Sequence, residues 1–152
     1  MTRSVSRRKM IAATGAFALL VACGREEARV VGPRPIALGI DECAWCRMLI
    51  DEERLAAQFV AADGRASVFG EVGCLLAWMA ANRGASGTAF VRPLDAPDWR
   101  AASAAHYATG ALRTPMRFDV TAYAAPVDGR EGVVTGSWDE LLRKGAPHAR
   151  QG

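Results

Sequence analysis

The chain opens on a segment that a folded domain does not need, and that segment bounds everything after it. Arg3 and the run Ser6-Arg7-Arg8-Lys9 form a basic head, and Met10 to Ala22 follow as a 13-residue apolar stretch broken only by Thr14 and Gly15. Such a stretch is too short to cross a bilayer core of about 30 Å as a helix, and a basic head before it is the pattern of a secretory signal. It ends Leu20-Val21-Ala22-Cys23, small residues leading into a cysteine. Taking residues 1–22 away from the 152 as a signal peptide leaves 130, enough for one domain or two small repeats sharing a core. The charge changes with it. The whole sequence carries +3, but the remainder holds 15 basic against 16 acidic residues, so nothing argues for nucleic acid as a partner.

Short strands and two short helices are expected in the remainder, an α+β fold with antiparallel hairpins. Residues 23–39, with Gly32, Pro33, Pro35 and Gly39 among charged residues, read as a flexible tether ahead of a domain over 40–146 and a loose tail over 147–152. Leu55 to Ala61 reads as a strand and Ala66 to Phe69 as its return. Asp63-Gly64 is the turn between them, a pair that tolerates positive φ at both central positions. Leu75, Leu76, Trp78 and Met79 recur at helical spacing and predict a helix from about Val72 to Asn82, with Gly84 as its stop. Thr88 to Val91 is a further strand, closed by Pro93. The second half echoes the first weakly. Ala104 to Ala108 and Val120 to Ala125 are expected to pair, and Val133 to Thr135 forms another short strand. Ser137-Trp138-Asp139-Glu140 has capping-box spacing and opens a helix through Leu141, Leu142 and Lys144 to Gly145.

The chemistry lies in the sulfurs. Cys43-Ala44-Trp45-Cys46 is a C-x-x-C pair, and Met48 follows two residues later, so three soft sulfurs fall within six residues. Thiolate and thioether together select a soft ion, and Cu(I) is the best match. Zinc prefers four N or S ligands, usually from two separated pairs, and His106 and His148 are isolated. Iron–sulfur clusters normally need four cysteines. A c-type haem site needs His directly after the second Cys, where this chain has Arg47. On motif chemistry alone a metal site, a redox disulfide and a structural disulfide between Cys43 and Cys46 all stay open. Cys74 heads the predicted helix. It reads first as a small core residue and second as a thiol that the helix N-terminus would favour as thiolate. Met79 and Trp45 read as packing, and Trp45 has a second reading as a cation–π shield for an ion. Met116, after Thr114-Pro115, reads equally as packing and as a distant thioether ligand. No arrangement of nucleophile, base and acid is visible, so no enzymatic activity is expected.

Two resemblances add to this. Residues 20–23 resemble the lipobox of bacterial lipoproteins, which implies that Cys23 is lipidated and becomes the first residue, and Ser6 to Ile11 resembles a twin-arginine signal. Beyond the signal, Cys43 to Asp51, Ala56-Ala57-Gln58, Phe69 to Trp78, Tyr107, Thr114-Pro115-Met116 and Trp138 to Leu141 resemble the NosL family of nitrous oxide reductase accessory lipoproteins, which are copper chaperones. That resemblance implies a periplasmic protein anchored by lipid to the membrane, with Gly24 after Cys23 pointing to the outer membrane. It implies one bound Cu(I), delivered to nitrous oxide reductase or, for a paralogue, to another exported cuproenzyme or its assembly factors. It also implies a fold of two ββαβ units. The second is shortened here, since no room for a helix remains after Tyr123 and Pro126 to Gly132 reads as a turn. The family's copper ligands carry over to Cys46, Met48 and Met116, and Cys43 matches the first cysteine of members with a complete C-x-x-C. Where the family usually has glycine after the second Cys and after Pro-Met, this chain has Arg47 and Arg117. Glycine there suggests close backbone approach. The competing expectation is an exported thiol–disulfide protein using Cys43 and Cys46, and a third is a structural envelope lipoprotein.

Overall fold

The computed structural model describes residues 32–129 and 133–145; the signal segment, Cys23, His148 and the 147–152 tail lie outside them. Strand β1 (Ala57–Ala61) is the centre of the first half, with β2 (Ala66–Phe69) antiparallel on one side and β3 (Gly87–Val91) antiparallel on the other. The β1–β2 turn differs from the expected two-residue form. Ala61 N–H donates to Arg65 O at 2.9 Å, and of the intervening residues only Gly64 has positive φ (88°). The loop is therefore three residues ending in a left-handed glycine, the arrangement next in frequency to the two-residue turn.

Because β1 is central, four of its five residues are buried on both faces. One face lies under helix α1 (Val72–Ala81), where Trp78 packs against Phe59 and Phe69 with ring centroids 5.0 and 5.6 Å apart. On the other face Gln58, fully buried, does the work of a neighbouring strand. Its Nε2 donates to Arg34 O at 2.6 Å and its Oε1 accepts from Arg34 N–H at 3.0 Å. Arg34 in turn forks onto Asp41 through both terminal guanidinium nitrogens at 2.8 Å. The described part of the 23–39 segment is thus tied to the domain at Arg34. Helix α1 ends at Ala81, three residues ahead of Gly84, with Asn82 as its C-cap; Asn82 Nδ2 donates to Trp78 O at 2.8 Å and satisfies a terminal carbonyl.

The second half repeats the strand order. Strand β4 (Arg100–Ala101) extends the first sheet to β2-β1-β3-β4, and the second sheet runs β6-β5-β7 with β5 (His106–Thr109) between β6 (Val120–Tyr123) and β7 (Val134–Ser137). In both sheets the first strand of the unit is flanked by the second and third, all antiparallel. The fold is α+β, with a first unit that is ββαβ and a second that lacks the helix between its second and third strands. Helix α2 (Trp138–Lys144) follows the third strand instead, opened by a complete capping box of Ser137 and Glu140, and Trp138 packs on Tyr107 at 5.6 Å. The expected strand at Ala104 begins two residues later. Residues Ala102–Ala104 form a 3-10 turn, held by the buried Tyr107 hydroxyl donating to Ala102 O at 2.8 Å. Among the described residues no helix is long and apolar enough to cross a membrane.

Candidate metal centre

Three segments distant in sequence meet at one end of α1. The first is the C-x-x-C hairpin. Cys43 N–H donates to Met48 O at 2.8 Å and Ile50 N–H to Asp41 O at 2.9 Å, so the residues between them form a tight loop. Arg47, directly after Cys46, has φ 66°. This left-handed residue turns the backbone amides inward. The backbone amides of Cys46, Gly70 and Trp45 favour the thiolate of Cys43, and that of Met48 favours the thiolate of Cys46. The pair therefore sits on a hairpin, whereas thiol–disulfide proteins of the thioredoxin type place it at a helix start. The second segment is the N-terminus of α1, which supplies Cys74. The third is the loop Thr114 to Asp119 between β5 and β6, which supplies Met116.

The Sγ atoms of Cys43, Cys46 and Cys74 lie within 4.8 Å of one another, and all three cysteines are free. Sulfurs bound to a common ion at about 2.3 Å stand roughly 4 Å apart, so sub-ångström adjustment closes this set on one ion. Cys43, Cys46 and Cys74 share a cavity of about 80 Å³ with Met48, Glu71 and Met116. The two buried thiols are Cys43 and Cys74, Cys46 is partly exposed, and Met48 is half exposed at the mouth. Larger hollows elsewhere, such as one of about 530 Å³ between α1 and α2, hold no such group of ligand atoms among the described residues.

The thiols share their protons unequally. The neighbouring Cys74 thiol, and after it the three backbone amides, draw the Cys43 thiol well below its usual range. The same pairing and burial push Cys74 up, and burial raises Cys46. The first reading of Cys74, as a small core residue, holds, and the second, as a thiolate favoured by the helix start, does not. Cys74 lies at a helix start, but the negative charge favoured there settles on Cys43, where more amides converge. Cys74 is a core residue and a member of the sulfur cluster at once. Trp45 is also corrected: it stands 42% exposed at the hairpin tip instead of packing. Met48 and Leu49 on the same hairpin are exposed too, as are Leu38 and Ile40 in the segment that leads into it, so the hairpin that carries Cys46 shows apolar side chains to solvent. Arg117 has φ 62°, matching Arg47. A left-handed backbone, more than close approach, is what would suit glycine at both positions.

One polar residue of the site carried no role in the sequence. Glu71 is 1% exposed, its Oε2 accepts from Met116 N–H at 3.0 Å, and its Oε1 has no hydrogen-bond partner. Burial holds its carboxyl above the ordinary range. The signal in the sequence was an acid inside the otherwise apolar run from Phe69 to Leu76. Glycine at 73 belongs to the same contact. A Cβ there would meet Phe118 Cβ at 2.1 Å, so the helix and the 114–119 loop touch directly. No protein-family profile matches the chain, and no curated protein sequence matches it.

Proposed function

We propose that the chain is a Cu(I)-binding lipoprotein of the NosL type, held at the periplasmic side of the membrane by lipid on Cys23, and that it carries copper to an exported cuproenzyme or its assembly factors. The observation that carries this reading is the convergence of three cysteine sulfurs within 4.8 Å in a cavity also lined by Met48 and Met116. Three cysteine sulfurs with two thioethers in the same cavity suit a soft monovalent ion better than zinc, which takes no thioether among its usual ligands, and His106 stands exposed on β5 outside the site. Buried Cys43 and Cys74 would anchor the ion. Cys46 and Met48, nearer solvent, are where a partner's ligand would enter, so transfer proceeds by stepwise exchange of ligands. The ion is cargo, and no bond to carbon is made or broken.

The thiol–disulfide reading has one observation in its favour, the lowered Cys43 thiol beside Cys46. Accessibility weighs against it: Cys43 is 1% exposed, while the more accessible Cys46 is the thiol that burial raises. Attack on a disulfide needs a thiolate that the substrate can reach. Competition with a chromophoric Cu(I) chelator under reducing, anaerobic conditions tests the proposal. Cys46→Ser with Met48→Ala is expected to abolish competitive binding, and wild-type affinity in that double variant would sink the site. Insulin reduction without Cu(I) uptake would favour the rival. Full function after replacing all three thiols would favour the structural lipoprotein.

A further inference from the structure

We infer that Glu71 is a positioning residue that places the Met116 sulfur over the cysteine cluster. The inference rests on the Cu(I) reading above and deepens it. Glu71 is the N-cap residue of α1, yet its side chain makes no capping bond to the helix. Nor does it belong to the mutually close ligand set, which holds the three Sγ atoms alone. No ion pair within 4.0 Å involves it among the described residues, and one of its oxygens is unpartnered. A buried carboxyl without a counter-ion costs free energy, and an apolar side chain of similar size would remove that cost. What Glu71 does make is the bond to Met116 N–H at 3.0 Å, with the Thr114 hydroxyl and the Phe118 N–H also turned to the carboxylate.

The Met116 loop needs such a grip for its placement and not for its shape. Thr114 N–H donates to Asp119 Oδ1 at 3.0 Å, Asp119 N–H to Thr114 Oγ1 at 2.9 Å, and Arg117 N–H to Thr114 O at 2.9 Å. These bonds close the loop on itself. They leave open where the loop sits relative to α1. The Gly73–Phe118 contact brings the loop against α1, and the Glu71 bond, three residues ahead of Cys74, fixes the backbone at Met116 itself, so the helix that carries one sulfur also holds the backbone of another. Glu71 thereby sets whether the cluster offers cysteine alone or cysteine with a thioether.

The test compares reduced wild type with Glu71→Gln, Glu71→Leu, Met116→Ala and the Glu71→Leu/Met116→Ala double variant. Cu(I) affinity is read by chelator competition, and the number of sulfur neighbours by copper K-edge X-ray absorption. Glu71→Gln keeps an acceptor oxygen for Met116 N–H and is expected to retain affinity and sulfur number. Glu71→Leu is expected to lose one sulfur neighbour and to weaken binding by the same factor as Met116→Ala, with no further loss in the double variant. A general loss of stability would not produce that non-additivity. Should Glu71→Leu fail to fold, Glu71→Asp, whose shorter side chain falls short of Met116, carries the same expectation. Full sulfur number in the Leu or Asp variant, or losses that multiply in the double variant, would overturn the inference. Wild type that takes up no Cu(I) would overturn the site itself, a result distinct from failure of Glu71 alone.

Discussion

Gly73→Ala should be among the most damaging single-methyl additions to this domain. The new Cβ would lie 2.1 Å from Phe118 Cβ, 2.2 Å from its Cγ and 2.6 Å from its Cδ2, all more than half an ångström inside ordinary contact. The obstruction is the root of a ring that is itself 6% exposed, with no flexible end to swing aside. The strain must therefore open the contact between α1 and the 114–119 loop. Extra atoms in a packed core cost about 1–3 kcal/mol, and a clash with rigid atoms puts this one near 3 kcal/mol. For a domain of this size that is a fall in melting temperature of roughly 10–15 °C. The opening also pulls at the Glu71–Met116 bond, so Cu(I) affinity is expected to fall with stability. Thermal unfolding of the reduced domain, with a chelator competition alongside, measures both. A melting temperature within about 2 °C of wild type would refute the packing argument, since substitutions free of such a clash stay near that range.

Gln58→Met keeps the volume under the first sheet but removes both bonds to Arg34; the expected cost is about 1–2 kcal/mol, with loss of hydrogen-exchange protection at the Arg34 amide. Left-handed backbone costs a residue with a side chain roughly 1–2 kcal/mol, and glycine loses about 0.5–1 kcal/mol more entropy on folding. Arg117→Gly is accordingly expected to be neutral to about 1 kcal/mol stabilising in urea unfolding, and Arg47→Gly similar, since its exposed pair with Glu42 adds little. Asp41 is held at about 2, first by the Arg34 guanidinium and then by the Ala37 N–H. Its folded value lies below the unfolded one of about 3.9, so its stabilisation is complete above the unfolded value and is lost as pH falls toward 2. Urea midpoints across that window should fall less steeply in Asp41→Asn than in wild type.

The fold was legible where a local pattern decides it. Leu75, Leu76 and Trp78 at helical spacing gave α1, and Ser137 with Glu140 gave the start of α2. Asp63-Gly64 marked the hairpin but not its length, because the left-handed residue was Gly64 alone. The two-residue β4 and the 3-10 turn at Ala102–Ala104 lie in a stretch without hydrophobic period, so nothing local announced them. The site divides the same way. Cys43, Cys46 and Met48 are neighbours in sequence, and their chemistry could be read as a unit. Cys74 looked like a core residue because it is one; its place among the thiols depends on how α1 packs on the hairpin. Glu71 was opaque because its partner Met116 lies 45 residues away. A buried acid in an apolar run was the visible sign, and only the tertiary contact gives it a role.

Copper K-edge X-ray absorption on the reduced protein loaded with Cu(I) tests the central claim most directly. One Cu(I) per chain with an all-sulfur environment is expected, lost when Cys43, Cys46 and Cys74 are replaced together by serine. Nitrogen or oxygen neighbours in place of sulfur, or equal Cu(I) uptake by the triple serine variant, would contradict it.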